Sequence, residues 1–311
     1  MKNKLLMSIV VICTLLFVFS CAREPQRRPG GLGAEPTISL YDNKTGEKKS
    51  IKLEEYLTGV VAAEMAPDWP INALAAQAII ARTFTMENIK AGRIKKLHGT
   101  DASTSVEEFQ AYDPSRINDN VRKAVQMTRG KVVLHNGQYI KGWFSACDGG
   151  IEASAKEGLN WVKTPTPYVN AGVEDNCLSI TVPENKSWRA EIPLEQARVA
   201  VKQITGSDPG TINSAQITEK GPSGRAEKIK LGNAVVGGPA LRLALGSEKV
   251  RSMLLDSIAI QGGNLVMTGK GFGHGVGMCQ WGARLMATQG KSPEDIVKFY
   301  FKNVEVTQMW K

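Results

Sequence analysis

Residues Ile71 to Lys90 form an alanine-rich, almost uninterrupted apolar run between Pro70 and Gly92. Proline suits a helix start and glycine a helix end, so the run predicts one long helix. Its apolar residues are nearly continuous rather than confined to a stripe, so the helix has to be covered on most sides. Gln77 and Arg82 interrupt the run, and each needs a polar partner in the interior.

The elements around this helix read as mixed. Thr37–Leu40 and Ser50–Leu53 have strand composition and are joined by an Asp-Asn-Lys-Thr-Gly turn. A second helix is predicted over Ile117–Arg129, ended by Gly130. Lys131–Leu134 and Gln138–Phe144 flank Asn136-Gly137, the dipeptide that favours a tight primed turn, and so read as a hairpin. Pro193–Thr205 reads as helix, and Thr211–Ile217 and Arg225–Leu231 as strands. Ser257–Ile260 and Asn264–Thr268 form a hairpin about Gly262-Gly263, followed by helices near Val276–Gln289 and Pro293–Phe301. The expected class is α+β: one large mixed domain over residues 37–311, with short antiparallel hairpins and a buried alanine-rich helix. Residues 176–232 are set apart as a candidate subdomain.

Glu64 closes the apolar run Leu57-Thr-Gly-Val-Val-Ala-Ala63, just ahead of the turn at Pro67 and Trp69-Pro70. A carboxyl in apolar company holds its proton more tightly than in water, which a general acid needs near neutral pH. A capping or pairing role at a helix end fits the same spacing. Two further clusters stand out. Gly269-Lys-Gly-Phe-Gly-His-Gly-Val-Gly-Met-Cys-Gln-Trp-Gly-Ala283 lacks the Gly-Lys-Ser/Thr ending of a phosphate loop. It presents His274 between glycines. Trp143-Phe-Ser-Ala-Cys-Asp-Gly-Gly150 carries Ser145 without a nucleophile elbow, so a substrate-contacting hydroxyl suits it better.

The N-terminus reads as an address. Lys2 and Lys4 precede an apolar stretch from Leu5 to Phe19, of signal-peptide length. It ends Val18-Phe19-Ser20-Cys21, which resembles a bacterial lipobox: residues 1–20 are then the signal peptide and Cys21 the lipidated residue. An uncleaved signal anchor is the alternative. Residues 21–36 form a basic tether rich in proline and glycine. Either way the domain is expected at the outer face of the cytoplasmic membrane. The net charge of +9 favours anionic partners such as wall polymers or phospholipid head groups. The basic residues are scattered and no nucleic-acid motif accompanies them, so nucleic acid is not an expected partner.

Of the five cysteines, Cys147, Cys177 and Cys279 lie beyond the leader and anchor. In an exported chain a pair is expected to oxidise. Cys147 and Cys177 are the better pair, both in loop sequence rich in Gly, Pro and Asp. Cys279 is expected as a free, buried thiol. No two of these cysteines have zinc-finger spacing, and His98, His135 and His274 are far apart, so no metal is expected.

Three segments taken together, Tyr56-Leu-x-Gly-Val-Val-Ala-Ala-Glu-Met65, Ala75-Ala-Gln-Ala-x-x-Ala-Arg-Thr83 and Gly273-His-Gly-Val-Gly-Met-x-Gln-x-Gly-Ala283, resemble the stage II sporulation protein D (SpoIID)/LytB family. Phe144-Ser145, Gly149-Gly150, Pro167-Tyr168 and Ser223-Gly-Arg225 fit it too. The resemblance implies a lytic transglycosylase that acts on peptidoglycan glycan strands, preferring strands stripped of stem peptides, without a cofactor. It implies Glu64 as catalytic acid and Arg82 as a supporting residue. Gln77, Gln110, Tyr112, Ser145, His274 and Gln280 are then the expected sugar-contacting residues. Other wall hydrolases or sporulation proteins are candidate partners. Some family members hold zinc through His and Cys in the segment corresponding to His98–Tyr112; this chain has His98 there but no cysteine. The LytB side of the family implies a competing role, a wall-binding module that stimulates an amidase.

Overall fold

The computed structural model describes residue 31 and residues 33–311. The expected signal peptide, Cys21 and the first part of the expected tether lie outside the described residues. Among the described residues no helix is long and apolar enough to cross a membrane.

Strands β1 (Thr37–Tyr41) and β2 (Lys48–Lys52) pair antiparallel from Thr37↔Lys52 to Tyr41↔Lys48. The chain then enters helix α1 (Leu53–Glu64) without a loop. Leu53 was expected to end the strand, but its N–H donates to the Pro36 carbonyl at 3.0 Å. The Glu54 N–H donates to the Glu35 carboxylate at 2.9 Å. These acceptors satisfy helix N–H groups that otherwise lack partners, so Leu53 opens the helix instead of ending the strand.

The long helix α2 spans Ile71–Ala91 and closes on Gly92, whose φ of 65° is readily adopted without a Cβ. As its composition demands, it is buried on most sides. It packs against α1, the helices Asp119–Met127, Gln280–Thr288 and Pro293–Tyr300, and the strand Lys131–His135. Leu57, Val60, Leu74, Ile79, Ile80 and Val133 lie at the centre of this first core.

The Asn136-Gly137 hairpin forms as read, with both residues at positive φ. Its second strand stops at Tyr139, however. The chain passes against α2 at Gly142, where a Cβ would lie 2.9 Å from the Ile80 carbonyl oxygen. It then forms a separate strand, Phe144–Ser145, paired in parallel with Met278–Cys279. The predicted helix at Val276 starts only at Gln280. Gly271, Gly273, Gly275 and Gly277 all have positive φ, which breaks a right-handed helix.

A second core is built from Trp188 to Met267. One sheet orders Leu255–Gln261, Asn264–Gly269 and Trp188–Pro193; another orders Ala234–Gly237, Ala226–Leu231 and Ala215–Lys220. The helices Leu194–Thr205 and Gly238–Leu245 complete it. The class is α+β, and the glycine-rich loop 269–277 with its flanking strands joins the two cores.

Candidate active site

Glu64 is the last residue of α1 and only partly buried. Its Oε1 accepts the Ala111 N–H at 2.8 Å. Burial raises its pKa more than the Ala111 hydrogen bond and the facing Gln280 amide lower it, and the carboxyl is pushed up to about 7. No cation and no second carboxylate is among the groups that shift it.

The segment carrying Ala111 is laid along α1 by close packing. Tyr112 stacks on Tyr56 with ring centroids 5.5 Å apart. The Asp113 N–H donates to the Gly59 carbonyl at 3.1 Å. A Cβ at Gly59 would come within 2.4 Å of the Tyr112 ring. Gly59→Ala is therefore expected to push this segment off Glu64 and to cost about 1–3 kcal/mol of stability, measurable by urea unfolding.

The opposite wall comes from the parallel pair Phe144–Ser145 and Met278–Cys279, which places Cys279 beside Ser145 and Gln280 at the first turn of the following helix. Gln280 faces the Glu64 carboxylate, and its Nε2 is buried without a hydrogen-bond partner. Ser145 Oγ and both amide atoms of Gln77 are likewise buried and unpartnered. Gln110 Nε2 donates to Thr85 Oγ1 at 3.0 Å and the side chain lies beside the Tyr56 hydroxyl.

Two tryptophans that the sequence reading passed over flank this wall. Trp69 follows Glu64 by one turn of chain, and Trp281 follows Gln280. Their ring centroids are 4.8 Å apart, and the Arg284 guanidinium lies about 5 Å from both. Tryptophans adjoining two motif residues were a readable signal, but their contact joins positions far apart in the chain.

Two expected site residues are not brought to the carboxylate. Arg82 is fully buried and forks onto Glu54, with Nε to Oε1 at 3.0 Å and Nη2 to Oε2 at 2.6 Å. Its Nη1 donates to the carbonyls of Lys131 (2.9 Å) and Ala78 (3.3 Å). Glu54 also accepts from the Gly130 N–H and Trp310 Nε1. Glu54 and Glu64 lie at opposite ends of α1, about 15 Å apart along its axis. The polar partner that Arg82 requires is Glu54, so Arg82 ties α1 to α2 rather than touching Glu64. His274 accepts the Val276 N–H on Nδ1 at 3.0 Å. Burial, then the charges of Arg242 and Arg225, push its pKa down to about 3, so it sits neutral at the junction of the two cores.

His98 stacks on Tyr41 at 4.0 Å, and its Nε2 lies 2.8 Å from Glu108 Oε2. The imidazole is engaged by a carboxylate and an aromatic ring. Cys147 and Cys177 are adjacent, their sulfurs 3.3 Å apart and unbonded. Cys279, expected apart from them, joins the same cluster.

The model of a family described as stage II sporulation protein matches residues 41–135. A domain of unknown function matches residues 180–277, which cover most of the second core. An uncharacterized protein of Brachyspira hyodysenteriae is 34% identical over 259 residues, covering 82% of this chain and 67% of that protein. Stage II sporulation protein D of Bacillus amyloliquefaciens is 30% identical over 302 residues, covering 89% and 82%. The amidase enhancer of Bacillus subtilis is 26% identical over 297 residues, covering 81% of this chain but 40% of that protein.

Proposed function

Because the chain belongs to the stage II sporulation protein D family, we propose that it remodels the cell wall as a lytic transglycosylase of peptidoglycan glycan strands. The observation that carries this reading is Glu64: an accessible carboxyl held up to about 7 with no second carboxylate among the groups that shift it. Hydrolysing glycosidases ordinarily use two carboxyl groups, one of them to activate water or to attack the sugar. A lyase acting on a muramyl residue needs one. Protonated Glu64 gives its proton to the glycosidic oxygen as the C1–O bond breaks. The carboxylate then takes the proton of the sugar's own C6 hydroxyl as that oxygen bonds to C1. A 1,6-anhydro ring closes, no water is consumed, and Glu64 ends protonated as it began.

The surrounding residues suit a sugar polymer. The partly exposed Trp69–Trp281 pair offers ring surface to a pyranose on the sides that Arg284 leaves uncovered. The amide of Gln280, which faces the Glu64 carboxylate, and the nearly buried Ser145 hydroxyl are the polar groups this wall offers a sugar. The net charge of +9 favours association with an anionic wall. In this reading Cys21 carries lipid and the domain works at the outer face of the cytoplasmic membrane.

The test is the pH dependence of cleavage of peptide-free glycan strands. The working form of the free enzyme has Glu64 protonated, so kcat/KM should fall about tenfold per pH unit above about 7. A rate that rises through pH 7 would show that the ionised carboxylate starts the reaction and would overturn the assignment. The likeness to an amidase enhancer favours a second reading, a wall-binding module without turnover. Under it, strands bind but no pH yields product.

A further inference from the structure

Beneath the wall that carries Ser145 and Gln280, the fold gathers three thiols from distant parts of the chain. Cys147 follows the strand Phe144–Ser145, Cys177 begins a short 3-10 turn, and Cys279 precedes the helix Gln280–Thr288. All three are buried, and their sulfurs lie within 4.8 Å of one another. Asp148, 1% exposed, has Oδ1 3.2 Å from the Cys177 sulfur, while its Oδ2 has no partner. The Asp175 carboxylate lies in the same cluster but is already engaged by the Tyr300 hydroxyl and the Cys177 N–H. Arg225, the nearby buried cation, points its hydrogen bonds at the Asp148 and Ile151 carbonyls and the Ser223 hydroxyl, leaving the carboxylates unpaired by it.

We propose that Cys147, Cys177 and Cys279, with the carboxylate of Asp148, bind a structural zinc ion that clamps the wall of the candidate active site. Three thiolates and one oxygen form a closed tetrahedral donor set of the kind zinc favours, and the hard carboxylate argues against a soft monovalent ion. Tetrahedral Zn–S bonds of about 2.3 Å place sulfurs about 3.8 Å apart, so small side-chain shifts complete the site. The Cys279 sulfur already accepts the N–H groups of Gly282 (3.3 Å) and Asp148 (3.4 Å), which fix its position in the cluster. A Cys147–Cys177 disulfide would satisfy two of the sulfurs. It would leave the third thiol, Cys279, outside the bond and the buried Asp148 Oδ2 without a partner. The zinc ion uses all four, and it cross-links the two strands that set Ser145 and Gln280 opposite Glu64.

The full chain, purified with reductant and stripped with chelator, is titrated with Co²⁺ and then Zn²⁺. Cobalt is expected to give the visible bands of a tetrahedral thiolate site at one ion per chain, and zinc to displace it. Peptide mapping is expected to show Cys147, Cys177 and Cys279 alkylated in stripped protein and protected with zinc. Asp148→Asn should weaken cobalt binding 10-fold or more while keeping the thiolate charge-transfer band. This readout uses the wild-type protein as well, so a variant that fails to fold leaves the proposal testable. A reduced wild-type chain that gives no cobalt spectrum overturns it. So does chain isolated from its own compartment with a Cys147–Cys177 disulfide and no bound metal.

Discussion

Glu64→Gln is expected to lower strand cleavage by about 10³-fold or more while the protein stays folded, because under the proposed mechanism this side chain both gives and takes the proton. Glutamine keeps the size of glutamate and an oxygen for the Ala111 N–H, which Glu64 accepts at 2.8 Å. What it lacks is the transferable proton. The same substitution carries a stability signature. The Glu64 pKa is raised from 4.5 to about 7, chiefly by burial, so the folded state holds the proton through a range where the unfolded chain releases it. The stability this contributes is complete below pH 4.5 and is lost as pH rises through about 7. Glu64→Gln removes that loss. Relative to wild type it should gain about 1–3 kcal/mol in urea unfolding between pH 4 and pH 8. Equal stability of the two proteins at both pH values would mean that Glu64 is solvated as in water.

Arg82→Ala is expected to cost about 3–5 kcal/mol, enough to unfold a domain of ordinary stability. The substitution strands the Glu54 carboxylate, which anchors the Gly130 N–H, Trp310 Nε1 and the guanidinium at one buried point. Arg82→Lys keeps the charge but loses the two-pronged geometry, and a smaller loss of about 2 kcal/mol should follow. Folded Arg82→Lys protein should keep kcat/KM within a few-fold, since Arg82 does not touch Glu64. A large loss of kcat with unchanged unfolding would mean that Arg82 acts on the substrate directly.

Much of the frame was legible because its signals are local. Pro70, Gly92 and the alanines between them set α2, and Asn136-Gly137 and Gly262-Gly263 set their hairpins. The errors came where a distant chain decides. Glu35 and Pro36 start α1 at Leu53. The start at Gln280 follows from four glycines at positive φ, one of which, Gly277, runs so close to Trp143 that a Cβ would lie 2.1 Å from its carbonyl oxygen. The site divides the same way. The raised pKa of Glu64 was readable from its apolar company. The Ala111 N–H that holds it is a backbone group and leaves no mark in the sequence. The need of Arg82 for a buried partner was readable, but not that the partner is Glu54. The cysteines carry no metal spacing because the fold, not the sequence interval, brings them together.

In the proposed mechanism Glu64 alone serves as acid and base in an intramolecular ring closure. Mass analysis of the sugar ends released from peptide-free glycan strands tests it most directly, comparing wild type with Glu64→Gln. The expected result is 1,6-anhydro ends, one water lighter than hydrolysed ends, from the wild type and none from the variant. Hydrated reducing ends from the wild type, or anhydro ends at undiminished rate from Glu64→Gln, would contradict it.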